Sequence, residues 1–236
     1  YRADSSKEEC RFISEKINWF FENGYKRSDM AILYRANFLS RALEGELSAR
    51  KIPYIVFGGF RFFERAEIKD VIAYLRLAAN TSDNTAFERV INVPPRGIGE
   101  KTMEVIRNHS KSHSISLWES IQNLEKLEIT RSIDSIKSFI KIILEISSLI
   151  KTSDLSSLIE TTIKLSTLKS HYENLKGEES VSKQENLEEL VSHAESFENS
   201  NHDSDDLIRD FLDNAALEAG EYQSKTHDDP LQIMTI

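Results

Sequence analysis

The sequence predicts a mainly α protein: an all-helical domain, carrying a helix-hairpin-helix-like element, inserted in a partial α/β domain with a parallel sheet. Three observations predict it. Short apolar runs alternate with helical stripes over the first 60 residues, the pattern of strands joined by helices. From Arg96 to Asp229 there is no proline, and from Glu100 to Lys176 neither glycine nor proline, so little interrupts helix. After Pro230 the run Leu231 to Ile236 reads as a strand again, as if the chain re-entered the sheet.

The elements follow in order. Ser5 or Ser6 caps a first helix, with Glu8 and Glu9 at capping-box spacing. Cys10, Ile13, Ile17, Phe20 and Phe21 form its apolar stripe, and Gly24 suits its stop. Met30 to Tyr34 is a short apolar run, hence a buried strand. Asn37 caps a second helix carrying Leu39, Ala42, Leu43 and Leu47. Tyr54 to Phe57 is a second strand, closed by Gly58-Gly59. Beyond it the helical stripes are Ile68, Val71, Ile72, Leu75, then Ala86, Phe87, Val90, Ile91. Leu187, Leu190, Val191, Ala194 and Leu207, Phe211, Leu212, Ala215 continue the pattern. Glu198 to Asp206 reads as an acidic loop or linker.

Composition narrows the class. Hydrophobic residues at 39% and charged residues at 29% fit a globular rather than a disordered chain. The single cysteine, Cys10, excludes an internal disulfide and points to a reducing compartment. No apolar run approaches the roughly 20 residues of a membrane span. The N-terminus has neither initiator Met nor signal peptide, so an excerpt of a longer protein is expected. Net charge is −9, yet residues 1–170 carry 26 basic and 22 acidic side chains, and residues 171–236 carry 4 and 17. The acidity belongs to the last quarter, and screening over about 8–10 Å lets a basic face elsewhere act by itself.

The most informative local pattern is Pro94-Pro95-Arg96-Gly97-Ile98-Gly99-Glu100-Lys101-Thr102, lying between two helical segments. Gly-apolar-Gly between helices is the hairpin of helix-hairpin-helix modules. Its glycines let backbone N–H groups approach a phosphate, and the following helix contributes about half a positive charge. Arg96 and Lys101 supply full charges. Such contacts hold DNA by its backbone without reading sequence; a plain interhelical turn is the alternative. Gly99-Glu100-Lys101-Thr102 only superficially resembles a phosphate-binding P-loop, and no G-x-x-x-x-G-K-[ST] occurs in the sequence. Arg65, Lys69 and Arg76 fall on one side of a helix and form a basic stripe, either a phosphate track or solvated surface. Arg35 and Asn37, with Arg41, stand where a strand ends and a helix begins, where open parallel sheets bind ligands; Asn37 alternatively only caps. His109 and His113 lack a third metal ligand, the acidic tract at Asp203 to Asp206 lacks the glycine of a calcium loop, and no catalytic triad or carboxylate pair is evident.

Several longer motifs together resemble one family. They are Ala31 to Asn37 with Ser40-Arg41-Ala42-Leu43-Glu44, Gly58 to Asp70 with Ala73-Tyr74-Leu75-Arg76, Phe87-Glu88-Arg89-Val90, and Arg96-Gly97-Ile98-Gly99. In this order they resemble the UvrD/Rep/PcrA-type superfamily 1 DNA helicases, and Glu185 to Leu190 and Ala215 to Glu221 favour the UvrD branch. The resemblance implies that residues 1–60 and 230–236 belong to a RecA-like motor domain and residues 61–229 to its helical 2B insertion. It implies part of an ATP-dependent, 3′-to-5′ helicase of DNA repair, bacterial, cytoplasmic and nucleoid-associated. ATP and Mg2+ would serve the full-length parent; no cofactor, metal or catalytic residue is expected in this excerpt, which should not hydrolyse ATP alone. The implied partners are DNA at a single-strand/duplex junction, the remaining helicase domains and repair proteins, and no membrane. Gly97, Ile98, Gly99, Lys101 and Thr102 match the loop that grips duplex DNA, with Lys69 and Arg76 beside it. Arg35 and Asn37 match the motif lying along single-stranded DNA. The other class of reading is an autoinhibitory or protein–protein interaction module, which the acidic last quarter would suit.

Overall fold

In the computed structural model, residues 2–127, 129, 132–220 and 229–235 are described. Among them the chain is mainly helical with a small parallel sheet. Contacts divide it into two compact units, residues 1–65 with 213–236, and residues 66–212.

The first unit holds the sheet. Helix α1 (Ser6–Glu22) starts where the Ser5 hydroxyl accepts from the Glu8 amide. Glu8 itself accepts from the Asp4 amide rather than from Ser5, so the cap is one-sided. The helix stops at Asn23 with Gly24 at φ +90°, and Tyr25 and Gly24 donate to the Phe20 and Phe21 carbonyls. Glycine takes that left-handed position without steric penalty. Strand β1 (Ala31–Tyr34) follows, then helix α2 (Ser40–Ala49) and strand β2 (Tyr54–Val56). Strand β3 (Leu231–Thr235) lies between β1 and β2 and pairs parallel with both, Ala31 opposite Gln232 and Tyr54 opposite Leu231. The expected return strand is therefore the middle of this sheet; Ile236 and Glu221, also quoted from the sequence, lie outside the described residues. The Asp229 carboxylate accepts from the amides of Arg27 and Ser28, both at 2.8 Å, which ties the approaches to β3 and β1 and holds that carboxyl below its usual range. One sheet face buries Tyr34, Tyr54, Leu231 and Ile233 against Cys10, Ile17, Leu43 and Leu47.

The helical unit is organised on α3 (Ala66–Ala79), whose Ile68, Val71, Tyr74, Leu75 and Leu77 are fully covered. It packs against α4 (Asn84–Val90), and against α7 (Ile133–Leu149), α8 (Leu155–Leu165) and α10 (Glu178–Ser200). Phe139 on α7 sits among Phe87, Tyr74 and Trp118, with ring centroids 5.8–6.5 Å away. The elements α5 (Glu100–His113), α6 (Leu117–Gln122) and α9 (Leu168–Glu173) complete this unit with the first part of α11 (Leu207–Gly220). The stretch free of glycine and proline is helical but not continuous. Ser114 and Thr167 take left-handed φ, and Ser116 and Asp154 cap the next helices through their side chains. Side-chain caps thus break it where backbone breakers are missing. Helix α10 also runs further than expected: Glu198 lies in it and accepts the Leu155 amide at the start of α8, leaving only 201–206 as the acidic loop.

Candidate nucleic-acid interface

The hairpin begins where α4 ends. Pro94 and Pro95 have no N–H and stop the helix from resuming. The amide oxygen of Asn92 then accepts two backbone amides, those of Arg96 (2.7 Å) and Ile98 (3.3 Å). Gly97, between them, adopts φ +72°, and the Ser132 hydroxyl donates to its carbonyl at 2.8 Å. The Ile98 side chain, 2% exposed, plugs the bend into the unit. Helix α5 starts at Glu100 with Gly99 as its N-cap and no side-chain cap. Gly97, Gly99, Glu100 and Lys101 are exposed, and among the described residues their amides meet no acceptor. Thr102 is half-buried, its amide bonded to the Gly99 carbonyl at 3.0 Å. A bend of outward amides at the positive end of a 14-residue helix is an anion cradle.

Arg96 does not lie on that surface. Its guanidinium donates to the carbonyls of Val90 (3.1 Å), Ile91 (3.3 Å), Pro94 (3.1 Å) and Ser166 (3.4 Å), and to the Tyr74 hydroxyl (2.6 Å). It also stands 5.5 Å from the Phe139 ring centre and 5.9 Å from that of Tyr74. Burial raises the Tyr74 hydroxyl to about 12, against the pull of the Arg96 charge. The neutral hydroxyl therefore accepts from Arg96 while donating to the Val93 carbonyl at 2.6 Å. Arg96 ties the bend down from beneath instead of offering a charge above it. Arg107, one face of α5 further on, forks between Glu88 (2.7 Å) and Glu100 (2.5 Å), and their carboxylates raise its affinity for its proton. It neutralises the acid nearest the cradle.

On α3, Lys69 is exposed. Arg76 is exposed too, with its guanidinium 2.7 Å from Asp83, whose other oxygen caps α4 through the Ala86 amide at 2.9 Å. The expected stripe loses its third member, because α3 starts at Ala66. Arg65 precedes it, 8% exposed, donating to Ser40 at 2.6 Å and facing Glu44 at 3.9 Å.

In the sheet unit, Arg35 is exposed immediately after β1. Asn37 is exposed as well, but it opens a 3-10 turn, Asn37–Leu39, and does not cap α2, which starts at Ser40. Arg41 is 6% exposed and bonded to Glu218 at 3.2 Å, with the Phe62 and Phe63 rings 5.9 and 5.2 Å away, so it does not join Arg35 and Asn37. The His109 and His113 rings stack at 4.2 Å. Among the described residues no group of three or more His, Cys, Asp or Glu side chains is placed to hold a metal ion, and no helix is long and apolar enough to cross a membrane.

The family model of the UvrD-like helicase C-terminal domain matches residues 1–236. The chain belongs to this family. It is 41% identical over 241 residues to DNA helicase II of Escherichia coli (strain K12), an alignment covering 100% of this chain and 33% of that protein. DNA helicase II of Haemophilus influenzae is similar at 39% over 241 residues, with 100% and 33% covered. The ATP-dependent DNA helicase PcrA of Bacillus subtilis is similar at 33% over 222 residues, with 92% and 29% covered. The chain thus spans about a third of the length of these curated relatives. The family resemblance carried by the motifs is confirmed.

Within this UvrD-like chain the sequence reading passed over Asn92, Ser132 and Arg107. The signal for Asn92 was available: an Asn side chain imitates a backbone acceptor and folds the following loop on itself. Ser132 and Arg107 act across 35 and 19 residues of chain, separations that local pattern does not reach.

Proposed function

We propose that the chain is the accessory and partial motor region of an ATP-dependent helicase that moves 3′ to 5′ on DNA and serves repair. In this reading residues 61–229 are the 2B-like insertion, and residues 1–60 and 230–236 are part of the RecA-like motor. The insertion grips duplex DNA by its backbone near the junction and tunes unwinding. The observation that carries the reading is the set of exposed amides of Gly97, Gly99, Glu100 and Lys101, which meet no acceptor among the described residues, at the start of α5. A phosphate there accepts from several N–H groups while Lys101 and Lys69 supply charge, contacts that position the duplex without reading bases. Arg35 and Asn37 contact single-stranded DNA at the carboxyl end of β1. ATP and Mg2+ are assigned to parts of the parent outside these residues, since the sequence carries no G-x-x-x-x-G-K-[ST]. The remaining helicase domains and repair proteins are its partners, in the cytoplasm at the nucleoid. A second reading, an autoinhibitory or protein-docking module, is favoured by one observation: residues 171–236 carry 17 acidic and 4 basic side chains.

The test is a salt titration of affinity for a duplex with a 3′ tail. Log affinity falls with log salt, and each phosphate contact removed lowers the slope by about 0.9. Lys101→Ala and Lys69→Ala each lower it by about that amount, and Arg76→Ala, already paired with Asp83, by less. Unchanged slopes in all three overturn duplex binding and leave the docking reading.

A further inference from the structure

We propose that Asn92 is the positioning residue of the bend: its side-chain oxygen decides which amides are left outward for phosphate. The inference rests on the duplex-binding reading above. The loop's N–H groups can be counted. Pro94 and Pro95 have none. The Val93 amide goes to the Val90 carbonyl at 3.2 Å. The amides of Arg96 and Ile98 converge on the one Asn92 oxygen at 2.7 and 3.3 Å, filling its two lone pairs. Drawing in two amides that stand two residues apart throws the amide between them to the other side. That residue is Gly97, which at φ +72° accepts the reversal without steric cost. The next amides, of Gly99, Glu100 and Lys101, then follow in the same outward sense at the head of α5.

The other attachments of the bend act on different groups. The Arg96 guanidinium holds carbonyls below it, the Ile98 side chain fills the core, and Ser132 holds the Gly97 carbonyl. None of them engages an N–H of the bend. Removing the Asn92 oxygen thus leaves the loop attached while freeing the Arg96 and Ile98 amides to turn outward, and the cradle loses its single arrangement.

Asn92→Ala, Asn92→Gln and Lys101→Ala in the full-length protein test this, with unwinding kinetics on a tailed duplex, ATP hydrolysis stimulated by single-stranded DNA, the salt slope and thermal melting. Asn92→Ala is expected to raise KM for the tailed duplex about tenfold. Unwinding kcat and single-strand-stimulated hydrolysis change less than KM, and the melting temperature falls by only a few degrees, since the two released amides exchange a protein acceptor for water. Asn92→Gln stays neutral but carries its amide oxygen one methylene away from the two N–H groups, and is expected to raise KM in the same direction. If Asn92→Ala keeps the native KM and slope while Lys101→Ala lowers affinity, the bend binds DNA but Asn92 does not set it, and the inference falls. If both variants keep native affinity, the duplex reading itself falls. Should Asn92→Ala fail to fold, Asn92→Gln decides alone: a raised KM with single-strand-stimulated hydrolysis retained supports the inference, and a native KM overturns it.

Discussion

The two glycines of the bend separate a structural requirement from a functional one. Gly97 has φ +72°, and an L-residue there costs about 1–2 kcal/mol. At about 2–4 °C per kcal/mol for a chain of this size, Gly97→Ala lowers the melting temperature by roughly 2–8 °C. Gly99 is different. Its φ of −82° and ψ of 171° are extended backbone open to any residue, and an added Cβ meets nothing within 4 Å. Replacing a glycine at such a compatible site stabilises by about 0.4–1 kcal/mol through the unfolded chain. The poorer N-cap that valine makes offsets this gain, so Gly99→Val is expected to melt within a few degrees of the parent. Its methyl groups nonetheless stand over the amides that a phosphate would approach. Losing one or two hydrogen bonds to a charged group, about 1.5–3 kcal/mol, weakens duplex binding by about ten- to a hundredfold. Circular dichroism melting and fluorescence anisotropy on a tailed duplex measure the two effects on the same samples. Native duplex affinity in Gly99→Val refutes contact at the bend. A melting temperature lower than that of Gly97→Ala refutes the claim that Gly99 is free of structural duty.

Two further predictions concern buried groups. Burial, with smaller contributions from Glu9 and Glu46, raises the Cys10 thiol from its ordinary value near 9 to about 11. An acid raised in the folded state adds no pH dependence below its ordinary value, and stability declines as pH rises from about 9 toward 11. Iodoacetamide at pH 8 should alkylate folded Cys10 at least about a hundredfold more slowly than the urea-unfolded chain; equal rates would contradict the packing of α1. In the helical unit, Glu67 is 3% exposed and receives Asn186 at 2.6 Å and Lys183 at 3.1 Å. Asn186→Leu strips a donor from that carboxylate and should lower stability by about 1–3 kcal/mol, read as a lower urea midpoint; an unmoved midpoint would show that the pair contributes nothing.

Much of the bend was legible before the structure. A glycine-built turn and an outward lysine follow from residue type within a few positions of chain; Ile98, expected among the residues facing duplex DNA, instead buries its side chain at 2% exposure. The strands were legible as apolar runs to within a residue or two at their ends. The place of β3 between β1 and β2 was not, because strand order is settled by packing of distant segments. Asn37 failed as a cap for a local reason. A 3-10 turn intervenes, and Ser40 at the true start of α2 turns its hydroxyl to Glu44 and Arg65 inside the unit. The basic stripe kept Lys69 and Arg76 but lost Arg65, because angular spacing counts residues on a helix without knowing where the helix begins.

If the bend holds DNA as proposed, the arginines show how the surface divides its charge. Arg41, Arg65 and Arg96 are all drawn inward by carboxylates or carbonyls, and Arg76 and Arg107 lie against carboxylates. A planar fork of five donors gains most where several acceptors are fixed in place, which is inside a protein. Lys69 and Lys101 keep compact charges on flexible stems and remain exposed. Bidentate readout of guanine needs a free guanidinium at a groove; among the described residues at this bend, Arg96 already holds five acceptors of its own unit and Arg107 is shared between Glu88 and Glu100. In the proposed reading, the groups that face a duplex among the described residues of the bend are backbone N–H and lysine, which match phosphate and cannot tell one base pair from another. Such a division would serve an enzyme that travels through any sequence, with its specific geometry turned inward to hold the loop and its adaptable charge turned outward to the strand.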